Sequence, residues 1–331
     1  MENIHIIAEA GTNNNGSLQK AKNLADIAKR AGADSVKFQI IYPWGLYLPG
    51  EYEYGKYDIK KVIEIREKGV LKDEEYADLN EYCKSIKIPF TSSVFDKRGL
   101  DLMMSFDPPY IKLASCDINN VRFLREVAKC GKPIVISTGM STMPEIEIGV
   151  NALVRSGAKE VIVMHCVSNY PAYLHQSNIS YIKVLREKFG LPVGFSDHTG
   201  DSVAACMALC MGATWFEKHF TEDKTQEGLD HAYAQEEKEF SKYVKDIRDA
   251  AKALILREDK VSEDEKYTKR RARRSLYAAG DLAAGHILTD DDVLCVRPEN
   301  TMSADQIDLL IGKKLLKPIS LHQAFDLSFI G

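Results

Sequence analysis

Gly194-Phe195-Ser196-Asp197-His198-Thr199 and Glu217-Lys218-His219-Phe220-Thr221 each carry a histidine just past a short apolar run that reads as a strand. The two histidines lie 21 residues apart, from 198 to 219. That is a little under one strand-helix repeat, which predicts neighbouring strands of a parallel sheet. Ligand sites in such sheets gather where the strands end. Two imidazoles converging there make half of a divalent-metal site, and so point to an enzyme.

Working outward, further apolar runs of strand length fall at residues 4–8, 35–39, 90–92, 110–113, 133–137 and 160–165, ahead of the two at 192–196 and 214–217. Between them lie helical patterns. Ala21-Leu24-Ala25-Ala28 keeps 3-4 spacing until Gly32 supplies a stop. The stretch from Asp201 to Met211 is apolar nearly all round, as expected of a buried helix. Eight strand-helix repeats in about 250 residues is the arithmetic of a closed (β/α)8 TIM barrel. An open doubly wound sheet is the alternative. Residues 42–70, rich in Tyr and Gly, are too long for an ordinary connection and read as a functional excursion over the barrel mouth. The expected organisation is a catalytic barrel over residues 1–256, a polar linker over 257–272, and a small domain over 273–331 that rests on another surface.

The bulk composition excludes several classes. The chain has 331 residues, 45% apolar and 28% charged, with a net charge of −4. That is ordinary for a globular protein and gives no overall pull toward nucleic acid or anionic lipid. The basic run at 269–274 lacks interleaved aromatics, so no nucleic-acid partner is expected. No apolar run approaches the roughly 20 residues of a membrane span. Met1-Glu2-Asn3 leads straight into Ile4-His5-Ile6-Ile7, so no signal peptide is expected either. Seven scattered cysteines without a C-x-x-C support neither a zinc ribbon nor a disulfide framework, and predict a reducing, cytoplasmic compartment. Cys206 and Cys210 share a helical face and read as core packing.

Lys37 and Lys112 end apolar strands, where a buried ammonium is costly without an anion. A lone strand-end lysine is usually structural. Two of them, with Ser115, Ser137 and Ser196 at matching positions, read as an anion pocket.

Eight motifs in order at strand ends carry a wider resemblance: A-E-A-G-T-N-N-N-G from Ala8, V-K-F-Q from Val36, I-K-L-A-S from Ile111, S-T-G-M from Ser137, H-C-V-S-N-Y-P from His165, G-F-S-D-H-T from Gly194, E-K-H-F-T from Glu217 and G-L-D-H-A from Gly228. The tail adds R-R-S-L-Y and V-R-P. Together these resemble the sialic acid synthase family with its C-terminal antifreeze-like (SAF) domain. The resemblance implies condensation of phosphoenolpyruvate with an N-acetylated sugar aldehyde, N-acetylmannosamine first, to give a nonulosonic acid and phosphate with C–O cleavage.

By that resemblance Lys37, Lys112, Ser115, Ser137 and Ser196 bind the phosphate and carboxylate of phosphoenolpyruvate, with Gln39 on the same floor. His198 and His219 hold Mn2+ or Mg2+, which polarises the aldehyde oxygen. Glu9 stands near the reacting centre as a proton-transfer or charge-steadying group. Glu217 supports the site from behind. Tyr170 and Asp230 bind sugar hydroxyls. Arg297 contacts the N-acetyl group from the other subunit of a domain-swapped homodimer.

Some positions depart from the family pattern. Asn14 stands where a histidine is common, Asp117 where glutamate is usual, Ser168 where some members carry asparagine, and Leu229 replaces proline; Glu299 interrupts R-P-G-N. The anion and metal residues are intact while sugar-side residues drift. Legionaminate or pseudaminate synthesis is therefore the alternative within the family, although Asp230-His231 leans away from pseudaminate. Outside the family, a metal-dependent barrel aldolase or hydrolase, or a non-catalytic carbohydrate-binding protein, are the competing classes.

Overall fold

The computed structural model describes residues 4–48, 58–258 and 260–331, which divide into two compact units, Met1–Ile255 and Leu256–Gly331. In the first, eight parallel strands close in sequence order: β1 (His5–Gly11), β2 (Ser35–Ile40), β3 (Phe90–Val94), β4 (Ile111–Leu113), β5 (Ile134–Ser137), β6 (Val161–Cys166), β7 (Val193–Asp197) and β8 (Trp215–His219). Closure is made by β1 pairing with β8, Ile7 opposite Glu217 and Glu9 opposite His219. The doubly wound alternative is thereby excluded, and all eight expected strands are present.

Strand alternation sorts the barrel residues into two sets. Ile6, Ala8, Val36, Phe38, Ile111, Ile134, Val163, Phe195 and Phe216 face outward into the large core shared with the helices. Facing inward, Ile7, Tyr110, Val135, Ile162 and Met164 pack with Trp215 into a separate inner plug. Below it His5 stacks on Trp215 at 4.1 Å and reaches Ser35 Oγ at 2.9 Å. Above it the next inward positions are Glu9, Lys37, Ser93, Lys112, Ser137, Ser196 and Glu217. A barrel interior is normally filled by branched apolar side chains. Here its upper layer is charged.

The helices form where caps and spacing direct them. Ser17 caps Leu18–Ala31, accepting from the Lys20 amide, and Gly32 ends it at φ +82°. The Thr142–Glu145 capping box opens Met143–Arg155. Among the described residues no helix is long and apolar enough to cross a membrane.

Two expectations need correction. Helix Val203–Cys210 is not buried all round. Ala204, Ala205 and Ala208 form its inner face, while Val203 and Met207 are about half exposed and Cys210 is exposed. Small residues let the helix lie close to the barrel, so the larger ones point away. The stretch read as a linker holds a ten-residue helix, Glu263–Ala272, capped by Ser262 with Glu265. Acidic residues in its first turn and basic ones in its last suit the helix dipole, which accounts for the basic run.

The second unit carries an antiparallel pair, β9 (Ser275–Ala278) and β10 (Val293–Val296). Its own core gathers Leu276, Leu288, Met302, Leu310, Leu315, Ile319, Phe325 and Phe329.

Candidate active site

Glu9, Lys37, Gln39, Lys112, Ser115, Ser137, Tyr170, Ser196, His198 and His219 all line one cavity of about 480 Å³ at the C-terminal end of the barrel strands. Glu217 is part of its floor. Asp230 lies beside it rather than in its lining, and Arg297 is an exposed residue of the second unit, just after β10.

The floor is a network of opposed charges. Lys37 Nζ is 2.6 Å from Glu9 Oε2 and 3.5 Å from Glu217 Oε2, and donates to Ser93 Oγ at 2.9 Å. Lys112 Nζ donates to Ser137 Oγ at 2.7 Å and stands 3.7 Å from Glu217. Ser196 Oγ donates to the other Glu217 oxygen at 2.9 Å. Burial alone would raise the Glu217 pKa, but Lys112 and Lys37 outweigh it and bring the carboxyl down to about 2. Glu9 goes the other way. Burial, reinforced by the charge of Glu217, pushes it up to about 7 against the pull of Lys37. Near neutral pH the cup holds two lysines, one firmly ionised carboxylate and one carboxyl that keeps its proton more readily than an ordinary glutamate. The positive surplus suits an anionic ligand.

A pH prediction follows. Glu9 has a folded pKa of about 7 against an ordinary 4.5, so the folded chain retains a proton that the unfolded chain loses between those values. Stability therefore falls as pH rises through that window. Across pH 5 to 8 the wild type should lose about 2 kcal/mol more unfolding free energy than Glu9→Gln, read by urea titration. Parallel profiles for the two proteins would refute the assignment.

The two histidines meet as expected, with ring centroids 5.7 Å apart. Burial, then the neighbouring His219, lowers the His198 pKa to about 4, and burial lowers that of His219. Both are neutral at pH 7, as metal ligands must be. His198 Nδ1 lies 2.6 Å from the Val167 carbonyl, which leaves Nε2, with only a 3.4 Å contact to Ser196 Oγ, as the nitrogen that could bind an ion. His219 Nδ1 is buried without a hydrogen-bond partner. Among the described residues no group of three or more His, Cys, Asp or Glu is arranged around a metal position. The fit is therefore to an ion that takes two imidazoles from the protein and oxygen from water or substrate elsewhere.

Behind these histidines is a buried clamp. Asp197 Oδ1 accepts from Thr199 N and Oγ1 at 2.8 and 2.7 Å, while Lys218 stands 3.3 Å from Asp197 Oδ2 and donates to the Thr199 carbonyl. Strand alternation that turns Glu217 and His219 inward sends Lys218 outward, where it ties the His198 turn to β8.

Several contributors were missed in the sequence. Ser93 lies on β3 in a run without charge. Tyr233, with its ring 5.2 Å from His219 and 5.0 Å from Tyr170, completes an aromatic wall. Cys166 also lines the cavity, as does Ser168, already marked in the sequence as a departure from the family pattern. A β-carbon on Gly139 would stand 2.2 Å from Ser168 Oγ and 2.9 Å from both Cys166 Sγ and Ser115 Oγ, and the Gly139 amide donates to Ser115 Oγ at 2.9 Å. Gly139→Ala must displace these serines, so kcat/KM for the anionic substrate should drop by about tenfold or more. Steady-state kinetics within twofold of wild type would show that the wall yields freely.

The NeuB family pattern matches residues 24–258, and the SAF domain pattern residues 273–325. The chain is 34% identical over 330 residues to the N,N'-diacetyllegionaminic acid synthase of Legionella pneumophila, covering 95% of this chain and 91% of that protein. It is 34% identical over 327 residues to a pseudaminic acid synthase of Campylobacter jejuni, covering 97% and 95%. Among solved structures, the N-acetylneuraminic acid synthetase of Leptospira borgpetersenii in complex with citrate aligns with a TM-score of 0.72 at 30% identity, covering 81% of this chain and 90% of that one.

Proposed function

Since the chain belongs to the NeuB family, a barrel enzyme group here followed by a SAF domain, we propose that it condenses phosphoenolpyruvate with the open form of an N-acetylated aldose. The observation that carries this reading is the upper layer of the barrel interior. Lys37, Lys112 and three serines there surround a positive surplus, beside two neutral imidazoles.

In this reading the lysines and Ser115, Ser137 and Ser196 hold the phosphate and carboxylate of phosphoenolpyruvate. Glu217 keeps both lysines charged and in place. A divalent ion, Mn2+ or Mg2+, on His198 and His219 would supply Lewis-acid polarisation of the aldehyde. C3 of phosphoenolpyruvate attacks the aldehyde carbon, forming the new C–C bond while the aldehyde oxygen takes a proton from solvent water. The oxocarbenium left at C2 takes up water, whose released proton Glu9 accepts, held by Gln39 Nε2 at 2.8 Å. The resulting hemiketal phosphate breaks its C–O bond and expels phosphate.

N-acetylmannosamine is the first candidate aldose. Similarity to an N,N'-diacetyllegionaminic acid synthase favours a diacetamido aldose as the second reading. Purified protein should release phosphate only when phosphoenolpyruvate, Mn2+ and the right member of an N-acetylated aldose panel are present together. Oxygen-18 in the bridging position should leave with phosphate. Release without aldose, or aldose cleavage without phosphoenolpyruvate, would favour a hydrolase or aldolase. The same reading has Arg297 acting across a homodimer. Mixing inactive Arg297→Ala and Lys112→Met proteins should then restore part of the activity, and a mixture that stays inactive refutes action in trans.

A further inference from the structure

The excursion after β2 delivers a side chain that the mechanism above does not use. Helix Ile59–Gly69 begins at Asp58, which accepts from the Lys61 amide, and buries Val62 and Ile63. Its last residue is tied to the loop after β1, because the Gly69 carbonyl accepts from Gly16 N at 3.1 Å and Asn14 Nδ2 at 3.3 Å. Asn14, one of the departures noted in the sequence, thus anchors this helix. One turn earlier, Arg66 reaches inward. Its Nη1 donates to Thr12 Oγ1 at 3.0 Å and to Gln39 Oε1 at 3.3 Å. Arginine can only donate, so Gln39 must turn its oxygen to Arg66 and its amide nitrogen to Glu9.

Two polar atoms here are left without partners. Arg66 Nε is buried and makes no hydrogen bond, and neither does Asp230 Oδ2. The two side chains share a neighbourhood. Both adjoin Gln39, whose Oε1 accepts from Arg66 Nη1 at 3.3 Å. Gly11, at φ +57°, makes room for Asp230, whose Oδ2 lies 2.5 Å from where a β-carbon would stand, with Gln39 Nε2 at 3.7 Å. An unsatisfied buried donor and acceptor each cost about 1–3 kcal/mol unless something pairs with them. A free anion would suit Arg66 but not Asp230, whose carboxylate would repel it. A neutral polyol suits both, one oxygen accepting from Arg66 and one O–H or N–H donating to Asp230.

We propose that Arg66 is an aldose-binding, specificity-determining residue, donating from Nε to a hydroxyl or acetamido oxygen of the sugar while Asp230 accepts from an adjacent group. The inference rests on the condensation reading. Wild-type protein that shows no phosphoenolpyruvate-dependent turnover of any N-acetylated aldose sinks that reading before a variant is made.

Given wild-type turnover, Arg66→Met should raise the aldose KM about 10- to 100-fold, the range for losing a charged hydrogen bond. The KM of phosphoenolpyruvate should stay within about twofold. Arg66→Lys keeps the charge but loses the Nε donor and should recover little. Monodeoxy aldoses supply the decisive readout. The analogue lacking the contacted oxygen should be penalised in wild type and not in Arg66→Met. A variant whose kcat alone falls, with every deoxy analogue penalised as in wild type, would show Arg66 merely positioning Gln39, and overturn the proposal. Should Arg66→Met fail to fold, the deoxy panel on Arg66→Lys decides the matter in the same way.

Discussion

If the chain condenses phosphoenolpyruvate as proposed, Lys112→Met should lower kcat/KM for phosphoenolpyruvate by about three orders of magnitude and leave the barrel folded. Removing one preorganised donor from a charge-stabilising site costs about 10²- to 10³-fold, and Lys112 is also half of the pair that makes the cup positive. Its ammonium is fully buried, and burial lowers its pKa despite Glu217. It is held by Ser137 Oγ, the Leu113 carbonyl at 3.2 Å and Glu217 at 3.7 Å. The thermodynamic consequence is smaller than the kinetic one. Methionine fills most of the same volume, and Glu217 keeps Lys37 and Ser196 as partners. Stability should therefore change by no more than about 2 kcal/mol, within the range of ordinary substitutions. Ser137→Ala, which removes one neutral hydrogen bond to Lys112, should cost only about tenfold in kcat/KM. Kinetics and thermal unfolding of the two variants test both halves. If Lys112→Met retained a phosphoenolpyruvate KM and kcat within twofold of wild type, the anion would have to bind elsewhere.

Much of this site was legible because strand alternation and charge act at once. Lys37, Lys112 and Glu217 interrupt apolar runs at inward positions, where the only inexpensive reason for a charge is another charge. The eight strands were legible for the same reason, although their ends were not. β1 runs two residues past Glu9 to Gly11, and its pairing with β2 slips between them. Such an irregularity re-aims side chains at a functional rim, and no composition rule marks it.

What stayed illegible enters the site from outside the alternating pattern. Arg66 arrives on a helix inside the 42–70 stretch, which reads as an excursion over the barrel mouth, but nothing in its charged pattern singles out one arginine. Tyr233 belongs to a short 3-10 turn, His231–Tyr233. The misread helix at Val203–Cys210 failed for another reason. Its composition is apolar on every side, so periodicity could not tell which face the alanines would bury. The helix at Glu263–Ala272 did carry a signal, Ser262 with Glu265, which its polarity obscured.

The second large effect is expected at the histidines. His219→Ala should lower metal-dependent kcat by about 10³-fold or more, and should weaken Mn2+ binding by more than 100-fold, since loss even of a group that only supports a ligand costs 10- to 100-fold. The fold should survive. The His219 carbonyl accepts from the Gln235 amide at 2.9 Å, and alanine preserves that bond and the β1–β8 pairing. Two measurements separate a ligand from an acid–base residue. Mn2+ affinity, read by electron paramagnetic resonance on the purified protein, drops only if the imidazole is a ligand. A pH–rate profile in excess Mn2+ loses an inflection only if the ring carries a proton in the reaction. Burial lowers the His219 pKa and holds His198 at about 4, so neither ring should contribute an inflection above the ordinary imidazole range. Full turnover by wild-type protein after exhaustive chelation would falsify the metal role for both histidines. In that case the unpartnered His219 Nδ1 would have to find its hydrogen bond on the substrate itself.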